Sequence, residues 1–158
     1  MKKSEKALTG RGDAQGGEAG GLLRLSRRVP AWVPTAVVLL VIGWFTLAPR
    51  PVGDIEPPLF EGADKLAHAC LFGMLTLCII RDAVRGLRLR RVSLSLAALA
   101  ATVATLVGVG IEYAQKYMDL GRSFEPADMA ADFAGAVAAA ATVLLFRRFS
   151  KRRRSHKP

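Results

Sequence analysis

Cysteine is scarce in this sequence, and the two cysteines present cannot form an intramolecular disulfide bond. Cys70 and Cys78 both fall within one apolar run of the 158-residue chain. On a helix they would lie about two turns apart, farther than the Cα separation that a disulfide allows. A fold held together by an internal disulfide is therefore excluded, and we interpret both residues as small apolar thiols in a packed helix.

Acidic residues are outnumbered by basic ones, and yet half of the chain is apolar. The sequence has 23 Lys and Arg against 13 Asp and Glu, a formal net charge of +10, and 51% hydrophobic residues. These properties separate along the chain into long apolar runs and short charged connectors, which is typical of a polytopic membrane protein. We therefore expect membrane lipids as partners and no nucleic acid.

The two ends of the chain differ from this pattern. Residues 1–28 are rich in glycine and charge without apolar periodicity, and we interpret them as a disordered basic N-terminal arm. Residues 148–158 form a basic cytoplasmic tail, whose contact with anionic lipid headgroups is a simpler explanation than nucleic-acid binding.

Residues 29–147 contain four apolar segments, each expected to be helical because a backbone in lipid must satisfy its own hydrogen bonds. The sequence thus predicts an all-α membrane domain with four transmembrane helices, at about 31–48, 64–80, 92–112 and 128–146. The second apolar run, Leu66 to Ile80, has only fifteen residues, fewer than the ~20 that span a hydrocarbon core. It must therefore draw Asp64 and Lys65 into the membrane region.

The distribution of charge predicts the orientation of these helices. All lysines and arginines lie on one side of the predicted spans except four, namely Arg50, Lys65, Lys116 and Arg122. The positive-inside rule then places both termini and the middle loop in the cytoplasm, and the connectors around Asp54 and Asp119 outside. We expect a multi-pass protein of the plasma membrane with this topology.

Small residues recur every four positions in the last two predicted helices. They are Ala100, Ala104 and Gly108 in the third helix, and Ala127, Ala131, Gly135 and Ala139 in the fourth. Because small side chains allow close approach of helices in membranes, we expect these two faces to pack against each other.

Ionisable residues of three predicted helices should share one level near the outer face of the membrane. Counting from the basic helix ends places Asp64 and His68, Glu112 and Gln115, and Asp128 and Asp132 in one layer. Each pair is three or four residues apart and so lies on one helix face. Intramembrane ionisable groups mark a functional site by default.

These motifs resemble the VanZ-like family of bacterial membrane proteins over about Trp44 to Phe146. The family pattern reads here as Asp64-Lys65-Leu66-Ala67-His68, Glu112-Tyr113-Ala114-Gln115, Arg122, Asp128 and Gly135. One departure is Asp132, where the family often has Asn, and we expect this extra carboxylate to be protonated or paired with His68 or Lys65. The resemblance implies a bacterial inner-membrane location and a cell-envelope role, with a link to glycopeptide antibiotic tolerance, but it supplies no reaction.

Three functional hypotheses follow from the layer of polar residues. In the first, Lys65 and Arg122 bind an anionic lipid-linked or cell-wall component, with Glu112, Gln115, Asp128 and Asp132 completing the ligand-binding site. In the second, the protein is a membrane enzyme in which His68 is the general acid or base and Asp64 or Asp132 orients it. In the third, the polar residues form a structural network that fixes helix register.

Other chemistry is less well supported by the sequence. The two outer connectors contain no Ser or Cys in a recognisable nucleophile setting. A divalent metal held by His68, Glu112, Asp128 and Asp132 is a variant of the enzyme hypothesis, but these ligands come from separate helices without a short ligand motif. We therefore expect no metal and no cofactor, and the oligomeric state stays open.

Overall fold

The computed structural model describes residues 29–47, 60, 62–118 and 124–155, with side chains as far as Phe149. In chain order the helices are α1 (Val33–Leu47), α2 (Ala63–Gly86), α3 (Leu94–Met118) and α4 (Pro126–Ser155), and the described residues contain no β-strand. The expected all-α class is confirmed. The predicted N-terminal arm and Arg122 lie outside the described residues.

Three of the four helices are long and apolar enough to cross a membrane. They are α2, α3 and the Pro126–Phe149 part of α4. With 15 residues, α1 is about 22 Å long at the helical rise per residue, shorter than a ~30 Å hydrocarbon core. Three candidate spans are thus established by length and composition, and a fourth crossing by α1 is a proposal.

The helices continue through charged residues at which the hydropathy pattern alone would end them. Helix α2 begins at Ala63, so Asp64 and Lys65 are helical, and it continues beyond Ile80 to Gly86. Helix α3 continues beyond Glu112 to Met118, and α4 continues beyond Phe146 into the basic tail. Arginine and lysine favour helices, and their long side chains reach water from a helix end, so a cation does not stop the helix.

Alanine is the commonest residue of the apolar core where the helices meet. Helix α2 packs most extensively on α4, α4 also packs on α3, and α1 lies against α2 and α3. The core contains Ala97, Ala100, Ala104, Ala136 and Ala140 around Phe72 and Leu75. Large apolar side chains such as Leu40, Leu99 and Leu106 are exposed on the outside. Small residues inside and bulky ones outside are the arrangement expected of helices surrounded by lipid.

The small-residue face of α4 lies mainly against α2, whereas the sequence predicted α3 as its partner. A Cβ atom built at Gly135 would overlap the backbone carbonyl of Ala69, and Gly73 also lies beside Gly135. The predicted small residues of α3 are buried as expected, and Gly108 contacts α4 at Asp132. The prediction was wrong for Gly135. Helix α4 carries small side chains on more than one face, so the four-residue repeat of small residues does not specify which helix packs against it.

Hydrogen bonds at both ends of α1 fix the direction of the helices relative to one another. The backbone N–H and the hydroxyl of Thr35 donate to Asp82 Oδ2 near the end of α2, at 3.2 and 2.5 Å. At the other end of α1, Gln115 Nε2 of α3 donates to the Thr46 carbonyl at 2.7 Å. The end of α1, the start of α2, the end of α3 and the start of α4 therefore share one end of the bundle.

Candidate functional site

Seven ionisable side chains gather at this shared end, and we call them the polar cluster: Asp64, Lys65, His68, Glu112, Glu125, Asp128 and Asp132. The first three lie in the opening turns of α2, Glu112 lies near the end of α3, and the rest lie at the start of α4 or just before it. The antiparallel order of the helices brings these segments together, although up to 68 positions separate them in the chain.

A buried histidine–aspartate pair joins α2 to α4. His68 Nδ1 lies 2.9 Å from Asp132 Oδ1, and Asp132 is 1% exposed. With Asp132 ionised, Nδ1 donates this hydrogen bond, because an ionised carboxylate only accepts, and Nε2 is the ring nitrogen that is left to contact another group. Nε2 lies 3.8 Å from Asp128 Oδ2. The histidine ring is thus held in one orientation with its second nitrogen facing another carboxylate.

Gly108 provides the space that the Asp132 side chain occupies. A Cβ atom at position 108 would overlap Asp132 Oδ2, so only glycine admits the carboxylate at this depth without displacing it. This role of Gly108 could not be predicted from its place in a small-residue repeat, because the repeat does not reveal which side chain lies opposite.

Lys65 lies at the rim of the polar cluster among three carboxylates. Its Nζ lies 2.9 Å from Asp64 Oδ2, 3.4 Å from Glu125 Oε2 and 3.7 Å from Asp128 Oδ1. The Lys65 side chain is 40% exposed, so these ion pairs are solvated and contribute little to stability. They position the ammonium group, and the Lys65 side chain as a whole stays partly accessible.

Glu112 connects the end of α3 to the segment that leads into α4. Its Oε2 accepts the backbone N–H of Glu125 at 3.0 Å. Phe124 packs on Tyr113 with ring centroids 5.7 Å apart, and Lys116 Nζ lies 5.3 Å from the Phe124 centroid. Sequence reasoning missed Glu125, although an acidic residue directly before Pro126 at a helix start is a usable signal.

Three carboxylate oxygens of the polar cluster are buried and have no hydrogen-bond partner among the described residues. They are Glu112 Oε1, Asp128 Oδ1 and Asp132 Oδ2. Buried polar atoms in folded proteins are nearly always paired, so each exception calls for an explanation. The cluster therefore has acceptor capacity that its own protein groups do not use.

The structure brings most of the predicted site residues together but changes several partnerships. Asp132 was expected to pair with His68 or Lys65, and it contacts His68. Asp64, the other residue expected to orient His68, contacts Lys65 instead. Gln115 does not join the cluster through a hydrogen bond and instead holds α1 through Thr46. No contact of Arg122 can be described, because this residue lies outside the described part of the chain.

The fold and the site together define an all-helical protein with three helices that could span a membrane and a partly buried polar cluster at one end of the bundle. The family model described as VanZ/LLP1 matches residues 17–147, and the chain therefore belongs to this family. The family membership that the motifs indicated is thus confirmed. No curated protein and no solved structure gives a significant match to the chain.

Proposed function

We propose that this chain is a multi-pass protein of the bacterial inner membrane that binds an anionic, lipid-linked or cell-wall component at the outer leaflet. In this proposal all four helices cross the bilayer and both termini are cytoplasmic. The polar cluster then lies near the outer face, and the described arginines of the α2–α3 connection lie at the cytoplasmic end. Family membership and three apolar helices support the membrane setting.

The observation that carries the proposal is the accessible side chain of Lys65, whose ammonium group is held among three carboxylates. Asp64, Glu125 and Asp128 surround Nζ and restrict where it can move, yet 40% of the side chain stays accessible. A cation positioned in this way meets an anionic headgroup with less loss of side-chain entropy than a freely moving lysine. Arg122, only three residues before Glu125 in the chain, is the second cation of the proposed site.

Lipid that remains bound during gentle extraction tests this function directly. We expect mass spectrometry to detect an anionic lipid or lipid-linked precursor with the native protein, and its loss from a Lys65→Gln/Arg122→Gln variant. In cells the same variant should lose any tolerance to a glycopeptide such as teicoplanin that the native protein confers.

Arg90→Gln/Arg91→Gln is the matched control, because it removes two cations from the opposite end of the bundle. This variant should retain the lipid. Equal retention by both double variants, with both inserted in the membrane, would refute specific binding at the polar cluster.

The His68–Asp132 pair favours a second candidate, a membrane enzyme acting on a lipid-borne substrate. A carboxylate on one imidazole nitrogen fixes the tautomer and lets the other nitrogen act as a general base or acid. Purified protein would then turn over a phospholipid or polyprenyl phosphate, and His68→Gln would abolish turnover. A fully functional His68→Gln variant in cells would instead favour the polar cluster as a structural network that fixes helix register.

A further inference from the structure

Three side chains from three different helices bring metal-ligand atoms together inside the polar cluster. His68 of α2, Glu112 of α3 and Asp128 of α4 each offer one nitrogen or oxygen, and these atoms lie within 4.8 Å of one another. Ligand atoms of a tetrahedral Zn²⁺ site, each about 2.1 Å from the ion, lie about 3.4 Å from one another. The three donors therefore converge on one point, and they would bind one ion after closing by about 1 Å.

An unpartnered oxygen of Glu112 is a second, independent observation in favour of a cation site. Glu112 is 1% exposed, and its Oε1 has no hydrogen-bond partner within the described residues, although its Oε2 is satisfied by Glu125. Asp128 Oδ1 is also buried without a hydrogen bond, but it faces Lys65 Nζ at 3.7 Å, so the oxygen of Asp128 that would bind a metal is Oδ2, which faces His68. A buried carboxylate oxygen without a partner is costly, and a metal ion bound to Glu112 would remove that cost.

The surroundings of His68 also match those of a metal-binding histidine. Such residues nearly always donate their second N–H to a carboxylate or carbonyl, which fixes the ring and directs the free nitrogen at the metal. Asp132 does this here through Nδ1 at 2.9 Å, and the free Nε2 faces Asp128 Oδ2 at 3.8 Å. The Glu125 N–H orients Glu112 in a comparable way.

We propose that His68, Glu112 and Asp128 bind one divalent transition-metal ion, with Asp132 as the positioning residue for His68. An imidazole nitrogen beside two carboxylates suits Zn²⁺ or Mn²⁺ better than Mg²⁺ or Ca²⁺, which prefer oxygen ligands alone. Three protein ligands leave coordination positions for water or a ligand oxygen. This site shares Asp128 with the anion-binding proposal, but it uses neither Lys65 nor Arg122, so the two proposals can be tested separately.

A second acidic group in the same region does not form the site. Asp64, Glu125 and Asp128 also offer donors within 4.8 Å of one another. The ammonium group of Lys65 already lies within 3.7 Å of an oxygen of each, and it provides the positive charge that this group requires. Asp128 therefore has one oxygen directed at Lys65 and the other directed at His68.

Metal binding by the purified full-length chain tests the proposal. The protein is prepared with a histidine-free affinity tag, stripped with a chelator, and titrated with Zn²⁺, Mn²⁺ and Mg²⁺ in detergent. We expect about one Zn²⁺ per chain, weaker binding of Mg²⁺, and a higher unfolding temperature in Zn²⁺ than in chelator.

Conservative substitutions identify the ligands. Glu112→Gln and Asp128→Asn should each abolish stoichiometric Zn²⁺ binding, whereas Asp132→Asn should weaken it by about 10–100-fold because it perturbs only the orientation of His68. Asp82→Asn is the matched control, since Asp82 is a largely buried carboxylate at the other end of α2, and it should bind Zn²⁺ like the native protein.

Two results would overturn the metal site. One is a native protein that binds no stoichiometric Zn²⁺ and unfolds at the same temperature with and without it, a measurement that requires no variant to fold. The other is Zn²⁺ binding by Glu112→Gln at native affinity. The Lys65→Gln/Arg122→Gln variant should lose lipid but keep Zn²⁺, so either proposal can fail while the other stands.

Discussion

At the scale of single residues, the polar cluster depends on a glycine as much as on its charges. Asp132 is an ionisable side chain buried between apolar helices, where a polar group is costly unless it has a partner. Its partner, His68, is on one helix, and the space for its second oxygen is provided by Gly108 on another. One carboxylate therefore depends on three helices for its position.

Gly108→Ala should displace the Asp132 side chain and break its contact with His68. The added methyl group would overlap Asp132 Oδ2, and the loss of one buried hydrogen bond costs about 1–3 kcal/mol. We expect the free energy of unfolding, measured by denaturant titration in detergent micelles, to fall by that amount.

Gly110→Ala is the control for this prediction. It lies two residues away in the same helix, and a Cβ atom there meets no atom within 4 Å. Alanine favours the helix, so this variant should be neutral or stabilised by up to about 1 kcal/mol. If both variants are equally stable, Gly108 does not provide space for Asp132.

At the scale of the helices, α2 and α4 are held by direct contact between their backbones. Gly135 of α4 lies against the backbone of Ala69, and Gly73 of α2 lies beside the Gly135 carbonyl. A side-chain rotation cannot relieve an overlap between a new Cβ atom and a backbone carbonyl, so the helices themselves must move apart.

Gly135→Ala should therefore destabilise the protein by about 1–3 kcal/mol or more, because overpacking of this kind forces backbone shifts. The measurement is the free energy of unfolding in micelles, with Gly43→Ala of α1 as a control that meets no atom within 4 Å. Because the two changes add the same methyl group, equal stability of these variants would argue against close packing of α2 on α4.

The sequence predicts which helices exist better than it predicts how they meet. The start of α2 follows from its length alone, since the apolar run after Lys65 is too short to cross a membrane. The level of His68, Glu112 and Asp132 follows from counting along the helices. The partner of Gly135 and the contacts of Glu125 depend on helix rotation, and a face of small residues does not determine that rotation.

At the scale of the whole molecule, charge is divided between the two ends of the bundle. The described arginines Arg81, Arg85, Arg88, Arg90 and Arg91 lie at the end of α2 and in the connection to α3, and Arg147 and Arg148 lie in the last part of α4. The polar cluster occupies the opposite end, where five carboxylates surround one lysine and one histidine. This asymmetry is the physical basis for the proposed orientation.

Reporter fusions test that orientation. A fusion in the Leu87–Arg91 connection or at the C-terminus should report a cytoplasmic position, and an insertion at the Phe60–Gly62 segment should report an external one. If the connection fusion and the C-terminal fusion report the same side of the membrane, α3 and α4 both cross it. An external signal from the Arg88 position would invert the topology and place the polar cluster on the cytoplasmic side.

An interior built from alanine and glycine reverses the usual pattern of mutational sensitivity. In a water-soluble protein the harmful change is commonly the truncation of a bulky core residue, which leaves a cavity. Here most bulky residues other than a few such as Phe72 and Leu75 face outward, where one hydrocarbon surface can replace another, and enlargement at an inner position such as Ala104 or Ala136 is the damaging change. At core positions of the bundle, side-chain volume should therefore decide which substitutions are accepted. At outward-facing positions, side-chain polarity should decide it.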